Sequence, residues 1–333
     1  MTGRLARFSL RMWPLERPDP RRKSEGRSIP PAGGHGGDGP QVAAALGLDP
    51  DDVLDLSATL NPFAPDVPLL VRRHLGTIRH YPDVDAAEAV LAEGLGLPRE
   101  RLVLTAGGAQ AIALVAGHLG PGWVDEPDFS LYRRHLPRVD PAGPRWRSDP
   151  HSPSGVLAGA ADRAGVWDEA FLPLSAGVWT RGRPGWAVGS LTKAFACPGL
   201  RLGYALAPDD GAAAALRRTR PAWAVDAPAC AVLPELLAAG DPPGWTAAIR
   251  RARSELVAVL EAHGRRASAA DAPWVLVPDA AGLREALAQR AVVVRDCASF
   301  GLAGHVRIAV PDAAGLDRLD RALSTVTARG GAS

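Results

Sequence analysis

The stretch S-L-T-K-A-F-A-C-P-G-L-R-L-G-Y, residues 190–204, governs how the rest of the chain reads. It sets a hydroxyl at Ser190, an amine three residues on at Lys193 and a guanidinium eight further at Arg201. Ser190 and Arg201 suit a bound phosphate, with Lys193 beside it as a reactive amine. Gly199 and Gly203 permit tight backbone around such a group. Lys193 also stands out by scarcity. Of 38 basic residues only two are lysines, and the other, Lys23, lies in the N-terminal tail. A biased genome can exchange Lys for Arg without consequence, but Arg stays protonated, whereas Lys can lose its proton and attack a carbonyl.

Two further segments join this one. Gly107-Gly108-Ala109 falls in a glycine turn (residues 106–110) between the apolar strand R-L-V-L-T and the helix A-I-A-L-V-A-G-H-L-G. Free backbone N–H groups at such a junction form an anion site. Asp168 ends the apolar run G-V-W-D, where an unpaired buried carboxylate would be costly. A cationic ring nitrogen as its partner removes that cost. Together these elements describe a pyridoxal 5′-phosphate site, with Lys193 as the Schiff-base lysine and Asp168 as the pyridinium partner.

Around the site, strand and helix signals alternate up to about residue 210, which predicts an α/β fold with a large, mostly parallel sheet. Past that point long Ala/Leu/Arg helices are expected at 211–219, 228–239 and 244–263. W-V-L-V-P, a helix, V-V-V-R-D and V-R-I-A-V then predict a smaller α+β domain at the C-terminus. The expected division is a disordered basic extension (1–30), an N-terminal arm (31–60), a large cofactor-binding domain (61–210) and helices with the small domain (211–333).

The 333 residues are 47% hydrophobic and 22% charged, which excludes a largely disordered or fibrous chain. A net charge of +2 supplies no whole-protein field for nucleic acid or an anionic membrane. No window approaches the roughly 18 apolar residues of a membrane helix, and the basic N-terminus lacks the apolar run of a secretory signal. A cytoplasmic protein is expected. Cys197, Cys230 and Cys297 are far apart, without metal-ligand spacing, and read as small buried hydrophobes.

The chain resembles fold-type-I pyridoxal-phosphate enzymes of the class I/II aminotransferase group. Within that group it is most similar to the branch that decarboxylates L-threonine O-3-phosphate in cobalamin biosynthesis, a relative of the histidinol-phosphate aminotransferases. The resemblance spans residues 35 to about 312. It is carried by His35-Gly36-Gly37, L-D-L-S…N-P, Tyr81-Pro82-Asp83, Asp168-Glu169-Ala170-Phe171, the lysine segment, Pro221…Trp223-x-Val225 and V-R-D-C-A-S-F-G-L-A-G-H-V-R-I (294–308).

The resemblance implies an aminotransferase-like fold and a role for each matching residue. Lys193 would carry the cofactor and shuttle protons. Ser190, Arg201 and the amides of Gly108 and Ala109 would bind its phosphate, and Tyr81 would reach that phosphate from the neighbouring subunit of a homodimer. Phe129 would stack on the pyridine ring. Arg307 would pair with the substrate carboxylate and Arg295 with the substrate phosphate, while His35 and Asn61 would line the substrate space. Two positions depart from the pattern. Family members carry N-N-P-T-G where this chain has His151-Ser152-Pro153-Ser154-Gly155, so Ser152 replaces the Asn that bonds the cofactor's ring oxygen. N-x-N-P becomes Thr59-Leu60-Asn61-Pro62.

The activity expected is decarboxylation of threonine phosphate, because the H-G-G arm, the P-x-W-x-V segment and D-E-A-F match that branch. The alternative is amino transfer involving histidinol phosphate or another amino acid. A cofactor-binding partner subunit without efficient catalysis is a third reading, resting on Ser152.

Overall fold

The computed structural model describes residues 28–330 apart from 279 and 281, and the side chains up to 326. Most of the expected N-terminal extension lies outside the described residues. Eleven strands are present among them: β1 (Leu54–Leu56), β2 (Leu102–Ala106), β3 (Trp123–Val124), β4 (Arg145–Ser148), β5 (Val166–Asp168), β6 (Trp186–Ser190), β7 (Leu202–Leu206), β8 (Ser268–Ala269), β9 (Trp274–Val277), β10 (Val292–Asp296) and β11 (Val306–Ala309).

Six of them form the larger sheet, in the order β2-β7-β6-β5-β4-β3. The β3–β4, β4–β5 and β5–β6 pairs are parallel, whereas β7 runs antiparallel to both β6 and β2. β6 and β7 are buried along their whole length, as continuous apolar runs covered on both faces should be. The single reversed strand matters for the site. The carboxyl ends of β2, β4, β5 and β6 and the start of β7 all fall on one edge, the edge where open α/β sheets bind ligands.

The smaller sheet has the order β1-β10-β11-β9-β8, with β1 parallel to β10 and the other pairs antiparallel. β1 therefore joins the C-terminal sheet, although its sequence position lies within the expected arm: Leu54, Asp55 and Leu56 pair with Val292, Val293 and Val294. Across β10 and β11, Arg295 stands directly opposite Arg307.

Helix boundaries follow local chemistry. Val84–Leu95 starts at Asp83, whose carboxylate accepts from Ala86 N, and stops at Gly96 in the left-handed region. The expected turn at 106–110 is instead the first turn of the helix Gly107–Leu119. One apolar cluster runs from Leu102, Leu104 and Leu202 of the larger sheet, through Leu233, Leu236, Leu256 and Leu260 of the long helices, to Val275, Val292 and Ile308 of the smaller one. This shared core fixes the two sheets against each other.

Candidate active site

Five sequence-derived groups meet at the carboxyl edge of the larger sheet. β5 ends in Asp168 and β6 in Ser190, which pairs with Gly203 at the start of β7. β2 runs into Gly107 at φ +76°, a conformation L side chains rarely adopt. A Cβ there would lie 2.6 Å from Arg201 Nη2, and one at Gly203 would lie 2.4 Å from the Gly107 carbonyl carbon. Glycine at both positions lets the strand, the helix start and the Arg201 guanidinium close together.

The helix Gly107–Leu119 has no side-chain cap and no acidic residue in its first turn, so its leading amides, including Gly108 and Ala109, are available at its positive end. Ser190 lies next to Gly108 and makes no cap bond to the short helix Leu191–Ala194. Free amides, a hydroxyl and a guanidinium make an anion cradle.

Lys193 is half-buried in that short helix, its Nζ 5.7 Å from the centre of the Phe171 ring. Burial, with Arg307 and Arg201 nearby, lowers its pKa to about 8. The amine thus has a substantial neutral fraction near physiological pH. Asn61 is buried behind the same segment. Its N–H donates to Lys193 O, its side-chain amide to Ala194 O at 2.8 Å, and its side-chain oxygen accepts from Phe63 N. Asn61 thus braces the lysine segment through its backbone and its carboxamide.

Asp168 accepts from Tyr132 Oη at 2.8 Å and from Ala170 N at 3.0 Å. Burial raises its carboxyl to about 6, the direction expected of a carboxylate without a neighbouring cation in contact. Tyr132 and Asp128 are site residues that the sequence reading did not single out. Asp128 accepts from Phe129 N and from both the N–H and the hydroxyl of Ser148. Ser148 Oγ in turn accepts from Ser152 N.

Ser152 is buried and turned toward Arg307, whose Nη1 donates to its hydroxyl at 3.3 Å. Arg307 lies over Trp274 (4.7 Å) and Phe300 (5.4 Å), and its Nε has no partner among the described residues. Arg295 is engaged differently from the expectation. Its guanidinium donates to Gly33 O, Gly34 O and Ser299 Oγ, tying the glycine arm to the small sheet. The arm places His35 against Phe129, ring centres 6.0 Å apart, where burial and the neighbouring Arg295 lower the imidazole pKa. Tyr81 stands apart from this cluster. It is 77% exposed, and its ring partner is Trp223 at 4.6 Å.

Residues 165–323 match the family model for aminotransferase class I and II. The histidinol-phosphate aminotransferase of Halorubrum lacusprofundi is 30% identical over 322 residues, which cover 80% of this chain and 87% of that protein. The chain belongs to the class I and II aminotransferase family. The threonine-phosphate decarboxylase of Salmonella typhimurium is also 30% identical, over 245 residues covering 58% of this family member and 67% of the relative. Among solved structures, the histidinol-phosphate aminotransferase of Sinorhizobium meliloti in complex with pyridoxal-5′-phosphate superposes with a TM-score of 0.71 at 17% identity. That match covers 87% of this chain and 95% of the other. The fold is that of the aminotransferases, and the cofactor of the family is pyridoxal phosphate.

The residues present fit that cofactor. The cradle at Gly107 and Gly203 has no room for a Cβ but offers amides, a hydroxyl and the Arg201 guanidinium, anchored through Nη1 to Pro198 O, to a phosphate. The buried Asp168 has no cation at bonding distance among the described residues, a place a protonated ring nitrogen would fill, and Lys193 offers an amine with its pKa lowered to about 8.

Proposed function

We propose that this family member decarboxylates L-threonine O-3-phosphate, releasing carbon dioxide and aminopropanol phosphate. The observation that carries this reading is the pair Arg295 and Arg307, opposed across β10 and β11 and both buried. Every hydrogen bond found from the two guanidiniums ends on a neutral oxygen. Two buried cations with no carboxylate at bonding distance among the described residues suit a small substrate bearing two anionic groups. Threonine phosphate carries a carboxylate and a phosphate, whereas histidinol phosphate carries no carboxylate.

In this reading Gly108, Ala109, Ser190 and Arg201 would hold the cofactor phosphate, and Phe129 would stack on the ring. Asp168 would keep the ring nitrogen protonated, and Ser152, whose hydroxyl accepts from Arg307, would steady that guanidinium. When bound, pyridoxal phosphate supplies the electron sink for the substrate bond that breaks. Lys193 Nζ, its pKa lowered to about 8 by burial, would hold the cofactor and then take up or deliver a proton at the substrate's α carbon. Arg307 binds the substrate carboxylate through its planar fork. Arg295 binds the substrate phosphate or gives it the amides of the arm it holds, and His35 closes over the substrate against Phe129. Tyr81 completes the phosphate site of a second copy of the chain, a role its exposure supports.

Amino transfer is the second reading, favoured by the Halorubrum relative, which matches over more of the chain. Incubating the cofactor-loaded protein with threonine phosphate, with and without 2-oxoglutarate, separates the two. Carbon dioxide and aminopropanol phosphate without the oxo acid support decarboxylation. Glutamate formation that depends on the oxo acid, with no carbon dioxide, would overturn it.

A further inference from the structure

We propose that Tyr132 is a positioning residue for Asp168, its buried hydroxyl fixing the carboxylate through the 2.8 Å bond to Oδ2. The inference rests on reading Asp168 as the partner of the cofactor's ring nitrogen. Tyr132 is fully buried, edge-on to Phe129 (5.7 Å) and packed on Trp146 (5.6 Å), so its ring cannot swing away. The other oxygen of Asp168 is held by Ala170 N, which leaves Tyr132 as the side-chain donor that orients the group.

A second buried carboxylate faces the same place. Asp128 is locked by three donors, Phe129 N, Ser148 N and Ser148 Oγ, and Ser148 is the register partner of Asp168. The charged and titratable groups acting on Asp168 are therefore Tyr132, Asp128 and Lys193. They act in opposite senses. Donation from Tyr132 favours the ionised carboxylate, the negative charge of Asp128 disfavours it, and Lys193 favours it. Burial between the two carboxylates keeps the Tyr132 hydroxyl protonated well above the ordinary tyrosine range, so it remains a donor. The chain thus carries two levers of opposite sign on the charge of one carboxylate.

The test is a carboxyl carbon-13 NMR titration of the full-length, cofactor-free protein, with the Asp168 signal assigned by Asp168→Asn. Tyr132→Phe should move the Asp168 midpoint up by about one pH unit, and Asp128→Asn should move it down. No upward movement in Tyr132→Phe, or movement in the same direction in both variants, overturns the proposal. Should Tyr132→Phe fail to fold, 3-fluorotyrosine incorporated at all three tyrosines strengthens the donor and should lower the midpoint; an unchanged midpoint overturns the proposal. The loaded protein is then titrated by visible absorbance. A shifted carboxyl midpoint with an unmoved spectrum leaves the Tyr132–Asp168 coupling standing and removes Asp168 as the ring's partner.

Discussion

Replacing Asp168 with Asn should stabilise the cofactor-free chain at neutral pH while disabling the enzyme. Burial raises this carboxyl from 3.8 to about 6, so the folded state binds its proton more tightly than the unfolded state does. Stability from this group is therefore full below about pH 4 and is lost as the pH rises toward about 6. At about 1.4 kcal/mol per pH unit, the loss is about 3 kcal/mol. Asn carries no charge, and its side-chain oxygen can still accept from Tyr132. Its N–H₂ group cannot accept from Ala170 N, which returns about 1–2 kcal/mol of the gain. The variant should then be about 1–2 kcal/mol more stable than the parent at pH 7, and no more stable at pH 4. Urea unfolding of both cofactor-free proteins at the two pH values measures the difference. Turnover should fall at least about 100-fold, because an amide supplies no charge to hold the ring nitrogen protonated. A variant less stable than the parent by the same margin at both pH values would show that burial does not hold the Asp168 carboxyl above its ordinary pKa.

Three other outcomes follow from the geometry. Gly107→Ala places a Cβ 2.6 Å from Arg201 Nη2 at φ +76°, costing about 1–2 kcal/mol in backbone strain. Displacing Arg201 from the phosphate should also weaken cofactor binding by about 10–100-fold, read by tryptophan fluorescence; unchanged binding would show that the cradle lies elsewhere. Arg295→Ala releases Gly33 O and Gly34 O, so limited proteolysis should cut the arm faster. Phosphorylated substrates should lose about 2–4 kcal/mol of binding, and equal loss for plain amino acids would make Arg295 a strap for the arm alone. Labelling of Lys193 by a small acylating reagent should rise with pH through a midpoint of about 8, against above 10 for an ordinary lysine, as peptide mass spectrometry can follow.

The apolar strands R-L-V-L-T, V-V-V-R-D and V-R-I-A-V were legible because buried strands read as uninterrupted apolar runs. β4, R-W-R-S, was not. Its polar residues are satisfied only by tertiary partners, Arg147 by Asp162 and Trp167, and Ser148 by Asp128. β7 was hidden inside the lysine motif, where glycine and arginine drew the reading toward chemistry. The parallel pairing of β1 with β10 joins segments more than 200 residues apart, which no local pattern encodes. The residues proposed to hold the cofactor were visible as types at motif spacings, whereas Tyr132 and Asp128 act through single buried atoms. The contact of the Asn61 carboxamide with Ala194, 133 residues away, was hidden for a similar reason.

The proposed chemistry depends above all on Lys193 carrying pyridoxal phosphate. Borohydride reduction of the loaded protein, followed by proteolysis and mass spectrometry, locates the pyridoxyl group. A single labelled peptide containing Lys193 is expected. A label on Lys23, the only other lysine, or no label at saturating cofactor would contradict it.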